Sequence, residues 1–146
     1  MTSQERIIEV LGGAQALGLK KKGQRPLSLQ EPVRSGLRFA ALEALQRRYQ
    51  ITQAQIQWLI DISERTLARR KVERLLSKAE SDRLYRVARI AAWAEEVFGS
   101  AAAAEQWLKA RIPALGQVTP LSLLDTDEGA QRVADILGRI EHGVFS

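Results

Sequence analysis

A chain of 146 residues with 45% apolar side chains can bury one core, or two small helical units that lean on each other. The absence of cysteine excludes a disulfide framework, no apolar run is long enough to span a bilayer, and the first thirty residues hold no signal-peptide core, so a soluble, cytoplasmic protein is expected. The net charge of +5 is unevenly spread: residues 1–36 carry six basic and three acidic side chains, residues 37–98 twelve and eight, and residues 99–146 four and six.

In chain order, the first expected helix runs from about Ser3 to Leu17, with Ile7, Val10, Leu11 and Ala14 on its apolar side and Gly12–Gly13 weakening it. Lys20 to Gly36 reads as too polar and too broken for a core element. The expectation for it is a flexible basic arm, either laid along DNA phosphates or simply solvated. Helical periodicity returns at Leu37, Ala40, Ala41, Ala44 and Leu45.

From Ile51 to Lys71 the pattern becomes two short helices around a tight turn. Thr52 and Gln55 have capping-box spacing, and Ile51 and Ile56 form a hydrophobic staple. Ser63 caps the second helix, Ile62 and Leu67 are its staple, and Glu64 sits at the positive end of its dipole. Asp61 stands in the turn where glycine is common, and aspartate tolerates the left-handed backbone better than most residues. The first helix has an apolar stripe of Ile56, Leu59 and Ile60. The second keeps little beyond Leu67 and displays Arg65, Thr66, Arg69, Arg70 and Lys71, which suits a helix-turn-helix whose second helix enters a DNA major groove. The alternative is an αα-hairpin with a solvated basic face.

Ser77 and Glu80 supply another capping box for a helix that reaches about Phe98 and stops at Gly99. Its Arg83, Arg86 and Arg89 fit either phosphate contact or a solvated face paired with Glu80 and Asp82. Nine basic residues face three acidic ones between Arg65 and Arg89, so a polyanion is the natural partner of that segment. The acidic last third points to another task. Ala101 to Lys109 forms a helix, Thr119–Pro120 starts a short one through Leu124, and Asp125 or Thr126 caps a last helix with Val133, Leu137 and Ile140 on its buried side. No strand pattern appears. The expected fold is all-α: an N-terminal helix and basic arm over 1–36, a helix-turn-helix bundle over 37–98, and a small helical unit over 99–146.

Enzymatic readings lack parts: there is no cysteine, one histidine, no phosphate loop and no paired metal-ligand spacing. No metal or cofactor is expected. His142 has a sufficient explanation as a cation in a helix's last turn, and Asp125, Asp127 and Glu128 fit helix starting better than acid-base work. Trp58 and Trp93 are expected in the core, whereas Trp107, among small alanines, is expected half exposed with a binding role open.

The run Arg65-Thr-Leu-Ala-Arg-Arg-Lys71, then Glu80 to Arg89, Val97-Phe-Gly99, Trp107-Leu108, Ala114-Leu-Gly116, Thr119 to Leu124, Glu128-Gly129 and Arg139 to Val144 resembles the Xre/MbcA/ParS antitoxins from Gly36 onward. Gln117 departs from it where a second glycine is common. The resemblance implies an Xre-like helix-turn-helix that binds the operator of its own operon and a C-terminal unit that neutralises a cognate RES-type toxin, an enzyme class that consumes or uses NAD. The other readings are a stand-alone repressor and a toxin inhibitor that never touches DNA.

The expected groove contacts are Arg65, Thr66, Arg69 and Arg70, with Lys71 and Arg74 reaching phosphates. Because one helix-turn-helix reads a short half-site, a homodimer on an inverted repeat is expected, joined through the long helix or the C-terminal unit, and a hetero-oligomer with toxin. Val144 and Phe145 are apolar residues beyond Gly143. Either they fold back over the last helix or, if the resemblance holds, they enter the toxin's cleft, with the Ser146 carboxylate mimicking a substrate phosphate. Arg139 and Glu141 would then act at the rim, and the surface around Trp107 and Arg139 is the other candidate toxin contact.

Overall fold

The structure, a computed structural model, describes residues 1–19 and 28–143. Among them the regular elements are helices: α1 (Ser3–Val10), α2 (Gly13–Leu17), α3 (Gln30–Ser35), α4 (Phe39–Arg48), α5 (Gln53–Ile60), α6 (Glu64–Glu73), α7 (Lys78–Phe98), α8 (Ala101–Leu108) and α9 (Asp127–Glu141). Two 3₁₀ turns, Pro113–Leu115 and Leu121–Leu123, lie between α8 and α9.

The organising element is α7. Ser77 accepts the Glu80 amide while the Glu80 carboxylate accepts the Ser77 amide, and Gly99 at φ 94° ends the helix. A 21-residue helix with Leu84, Val87, Ala88, Ile90, Ala91 and Ala94 fully buried needs partners on more than one side. It receives α1, α3 and α5 from the N-terminal half and α8 and α9 from the C-terminal half. One continuous apolar cluster therefore runs from Ile7 to Leu137.

The expected first helix is divided. Gly12 and Gly13 have φ of 99° and 90°, a left-handed pair that turns the chain so that Leu11 and Leu17 both reach the core. The stretch expected as a flexible arm is also corrected where it is described. Leu29 is buried, its amide donates to Gln4 Oε1 at 3.3 Å, and Gln30–Ser35 forms a helix against α7. Pro32 does not prevent this, because it occupies the first turn, where an amide has no helical partner to lose. Lys20 to Arg25 of that arm lie outside the described residues.

The helix-turn-helix forms as its caps dictate. Thr52 and Gln55 make the reciprocal capping box, Ser63 accepts the Thr66 amide, and Asp61 takes the left-handed position at φ 52°. Ile51, Ile56, Ile62 and Leu67 are buried as the staple pattern predicts. In the C-terminal half Thr126 caps α9, accepting the Gly129 amide at 3.0 Å. Gln117 has φ 64°, which explains physically why glycine suits that position.

Candidate functional site

Leu67 is the buried residue of α6, so it fixes which side of the helix faces outward. At about 100° per residue, Arg65, Ala68, Arg69 and Val72 fall on the opposite side, and all four are exposed. Lys71 and Arg74 are exposed along the flank, Arg74 as the left-handed cap that ends the helix at φ 66°. Arg65 makes no ion pair among the described residues, and Arg69 makes only an exposed 3.3 Å pair with Glu73. Thr66 is half-buried, and its hydroxyl accepts a 3.0 Å bond from Ser63 at the helix start.

Arg70 is placed differently from the expectation of a groove contact. Its Nε and Nη2 donate to the two carboxylate oxygens of Glu80 at 2.8 and 3.1 Å. Glu80 is buried and also accepts the Ser77 amide at 2.9 Å. Burial pushes the Glu80 carboxyl up, but the Arg70 and Ser77 hydrogen bonds outweigh it and hold the group below the usual carboxylate range; the same pairing raises Arg70. Turning Arg70 toward DNA would leave a buried carboxylate unpaired, so this side chain fixes the angle of α6 on α7.

The three arginines of α7 are placed differently from one another. Arg86 donates to the Leu124 and Asp125 carbonyls at 3.1 and 2.8 Å and to Asp127 at 2.8 Å, tying down the segment that leads into α9. Arg83 reaches the Ile60 carbonyl at 3.4 Å, beside the helix-turn-helix turn. Arg89 lines a cleft of about 420 Å³ with Arg6, Tyr85, Trp93, Glu96 and Glu141.

Two more bonds cross between the halves. Trp58, expected in the core, is 59% exposed, and its indole N–H donates to the Ser122 carbonyl at 3.1 Å. The Lys109 ammonium donates to the Gln50 carbonyl at 2.7 Å. Local sequence carries no signal for such pairs, which lie 64 and 59 residues apart.

In the C-terminal unit Trp107 is half-buried, its ring 5.2 Å from that of Phe98 and tilted by 36°. Arg139 and Glu141 are exposed on the last turn of α9, where Glu141 accepts the Trp93 indole N–H at 3.0 Å. Trp107 is not among the residues lining the Glu141 cleft. His142 is the C-cap residue of α9, its backbone amide donating to the Gly138 carbonyl at 3.0 Å. Val144, Phe145 and Ser146 lie outside the described residues. Among those described, no cluster of acidic or histidine side chains could hold a metal ion, and no helix is long and apolar enough to cross a membrane.

An outward basic helix on a capped two-helix motif, backed by a long helix that also carries a second helical unit, defines a helix-turn-helix protein with an appended helical unit. Comparison with known proteins gives the same order of units. Residues 28–89 match the antitoxin Xre-like helix-turn-helix domain, and residues 94–143 match the antitoxin Xre/MbcA/ParS C-terminal toxin-binding domain. The antitoxin Xre of Yersinia enterocolitica is 33% identical over 120 residues, 81% of each chain. That of Photorhabdus laumondii is 47% identical over 68 residues, 46% of each chain. A protein of a Sphingobium species named Prs ADP-ribosylating antitoxin is 48% identical over 40 residues, 27% of this chain and 25% of its own. The chain belongs to the Xre antitoxin family.

Proposed function

We propose that the protein neutralises a RES-type, NAD-using toxin through its C-terminal unit and represses its own operon through α6, acting in the cytoplasm as a homodimer that joins the toxin in a hetero-oligomer. The observation that carries this reading is the outward face of α6, where Arg65 and Arg69 are free of buried partners while Arg70 anchors the helix from behind. Arginine pairs bidentately with guanine edges, and Lys71 and Arg74 add phosphate contacts whose strength falls with salt. The toxin partner is supported by the family of residues 94–143, and NAD chemistry by the Sphingobium relative, whose name couples an antitoxin with ADP-ribosylation.

The toxin-binding surface comprises Trp107, Arg139 and Glu141 with residues Val144 to Ser146 beyond them. The test is co-expression with the neighbouring reading frame. The intact chain should co-purify with that product and restore growth, and should shift DNA from upstream of its own frame. Arg65→Ala with Arg69→Ala should lose the shift and keep the rescue. Removing residues 144–146 should do the reverse. Rescue without any shift by the intact chain would leave an inhibitor that does not touch DNA; a shift with no toxic neighbour would leave a stand-alone repressor.

A further inference from the structure

Val72 is 82% exposed, the most exposed large apolar side chain among the described residues. The other exposed apolar residues near the motif have local roles: Trp58 donates to Ser122, and Leu75 pairs by backbone with Arg38 beyond the end of α6. Val72 has no such account. It lies one helical turn past Ala68 and Arg69 and two turns past Arg65, on the side of α6 turned away from Leu67.

We propose that Val72, with the small Ala68 beside it, reads the C5-methyl group of a thymine in each operator half-site, beyond the bases contacted by Arg65 and Arg69. This rests on the DNA-binding role proposed above and adds the base class that the apolar part of the face selects. The major-groove edge of thymine is the one edge that presents a methyl group, and apolar side chains are its matching readers. The surrounding charge supports DNA as the occupant, because Arg65 and Arg69 share the outward face with the apolar pair and Lys71 and Arg74 add exposed cations near the helix end, against the single carboxylate of Glu73 that Arg69 pairs. In the groove the valine is desolvated, and Ala68 leaves room for the methyl.

Uracil interference tests this directly. DNA from upstream of the reading frame is prepared with deoxyuridine randomly replacing thymidine, bound to the full chain, separated by gel shift, and cleaved at uracil to show which missing methyls deplete the bound fraction. Wild-type protein should show depletion at one or two thymines per half-site, each methyl contributing about fourfold in affinity. With Val72→Ala those positions should vanish from the pattern while any others persist. A pattern unchanged by Val72→Ala, or a wild-type complex insensitive to every thymine methyl, would overturn the assignment. So would loss of self-association or of toxin binding by Val72→Ala with the pattern intact, which would make Val72 a protein contact. If the wild-type chain forms no complex with the upstream DNA, the DNA reading itself fails.

Discussion

Arg70 and Glu80 face each other through two parallel hydrogen bonds of 2.8 and 3.1 Å, ten residues apart in sequence and on different helices. The pair joins α6 to the long helix behind it. Arg70→Ala should therefore act on stability first, because it strands a buried carboxylate, at about 3–5 kcal/mol. Arg69→Ala, on an exposed side chain, should stay within about 0.5 kcal/mol of wild type while weakening operator binding. Urea unfolding beside gel-shift titration separates the two.

Stability should fall at both ends of the pH scale for different reasons. Glu80 is held below the usual glutamate range, so its contribution is present above about pH 4.3 and is lost as the pH falls through its lowered value. Tyr49 is pushed upward by burial and by the nearby Glu95, to which its hydroxyl donates at 3.4 Å. Its contribution is present below about pH 10 and is lost as the pH rises beyond that. Glu80→Gln should flatten the acid limb of a plot of melting temperature against pH. Tyr49→Phe should flatten the alkaline limb.

Glycine substitutions in α9 should diverge. A Cβ at Gly129 would run into the Leu123 carbonyl, which the 3₁₀ turn holds in place, so Gly129→Ala should destabilise by about 1–3 kcal/mol. At Gly138 the nearest atom to an added Cβ is on the Trp93 ring, 3.7 Å away. Gly138→Ala should leave stability unchanged or raise it by about 0.5–1 kcal/mol through better helix propensity. Thermal melts of the two variants provide the comparison.

Arg86→Met should loosen the segment before α9 without touching α6. The side chain is largely buried and its guanidinium serves two carbonyls and a carboxylate, so losing it should cost about 2–3 kcal/mol. Limited proteolysis should show faster cleavage within residues 110–126, with operator affinity kept at temperatures below unfolding.

How much of this was legible in the sequence depends on the range of the interaction. Thr52 with Gln55, Ser63 with Thr66, Ser77 with Glu80 and the turn at Asp61 act within four residues, and each forms as expected. Leu29 was hidden because Leu27, Leu29 and Val33, scattered among Pro26, Pro32 and polar residues, are too few to reveal a period. Arg70 and Arg86 looked like surface charge, since composition cannot show that a partner from another helix waits for them. Trp58 misled for the opposite reason: a tryptophan beside Leu59 and Ile60 reads as core, yet α5 has only one face on the bundle. Val72 escaped notice because charged neighbours drew attention to the cations alone.

The long helix has a consequence for how such proteins can exchange parts. The stretches matched by the two family domains meet between residues 89 and 94, inside α7 rather than in a linker. A splice there joins two halves of one rod. Each residue gained or lost would swing the second half by about 100° and slide it by about 1.5 Å. Arg86 would then miss the carbonyls before α9, and Trp58 would miss Ser122. A splice that keeps both halves docked is thus confined to junctions that preserve helical phase, which holds the helix-turn-helix head and the C-terminal unit in a fixed angular relation.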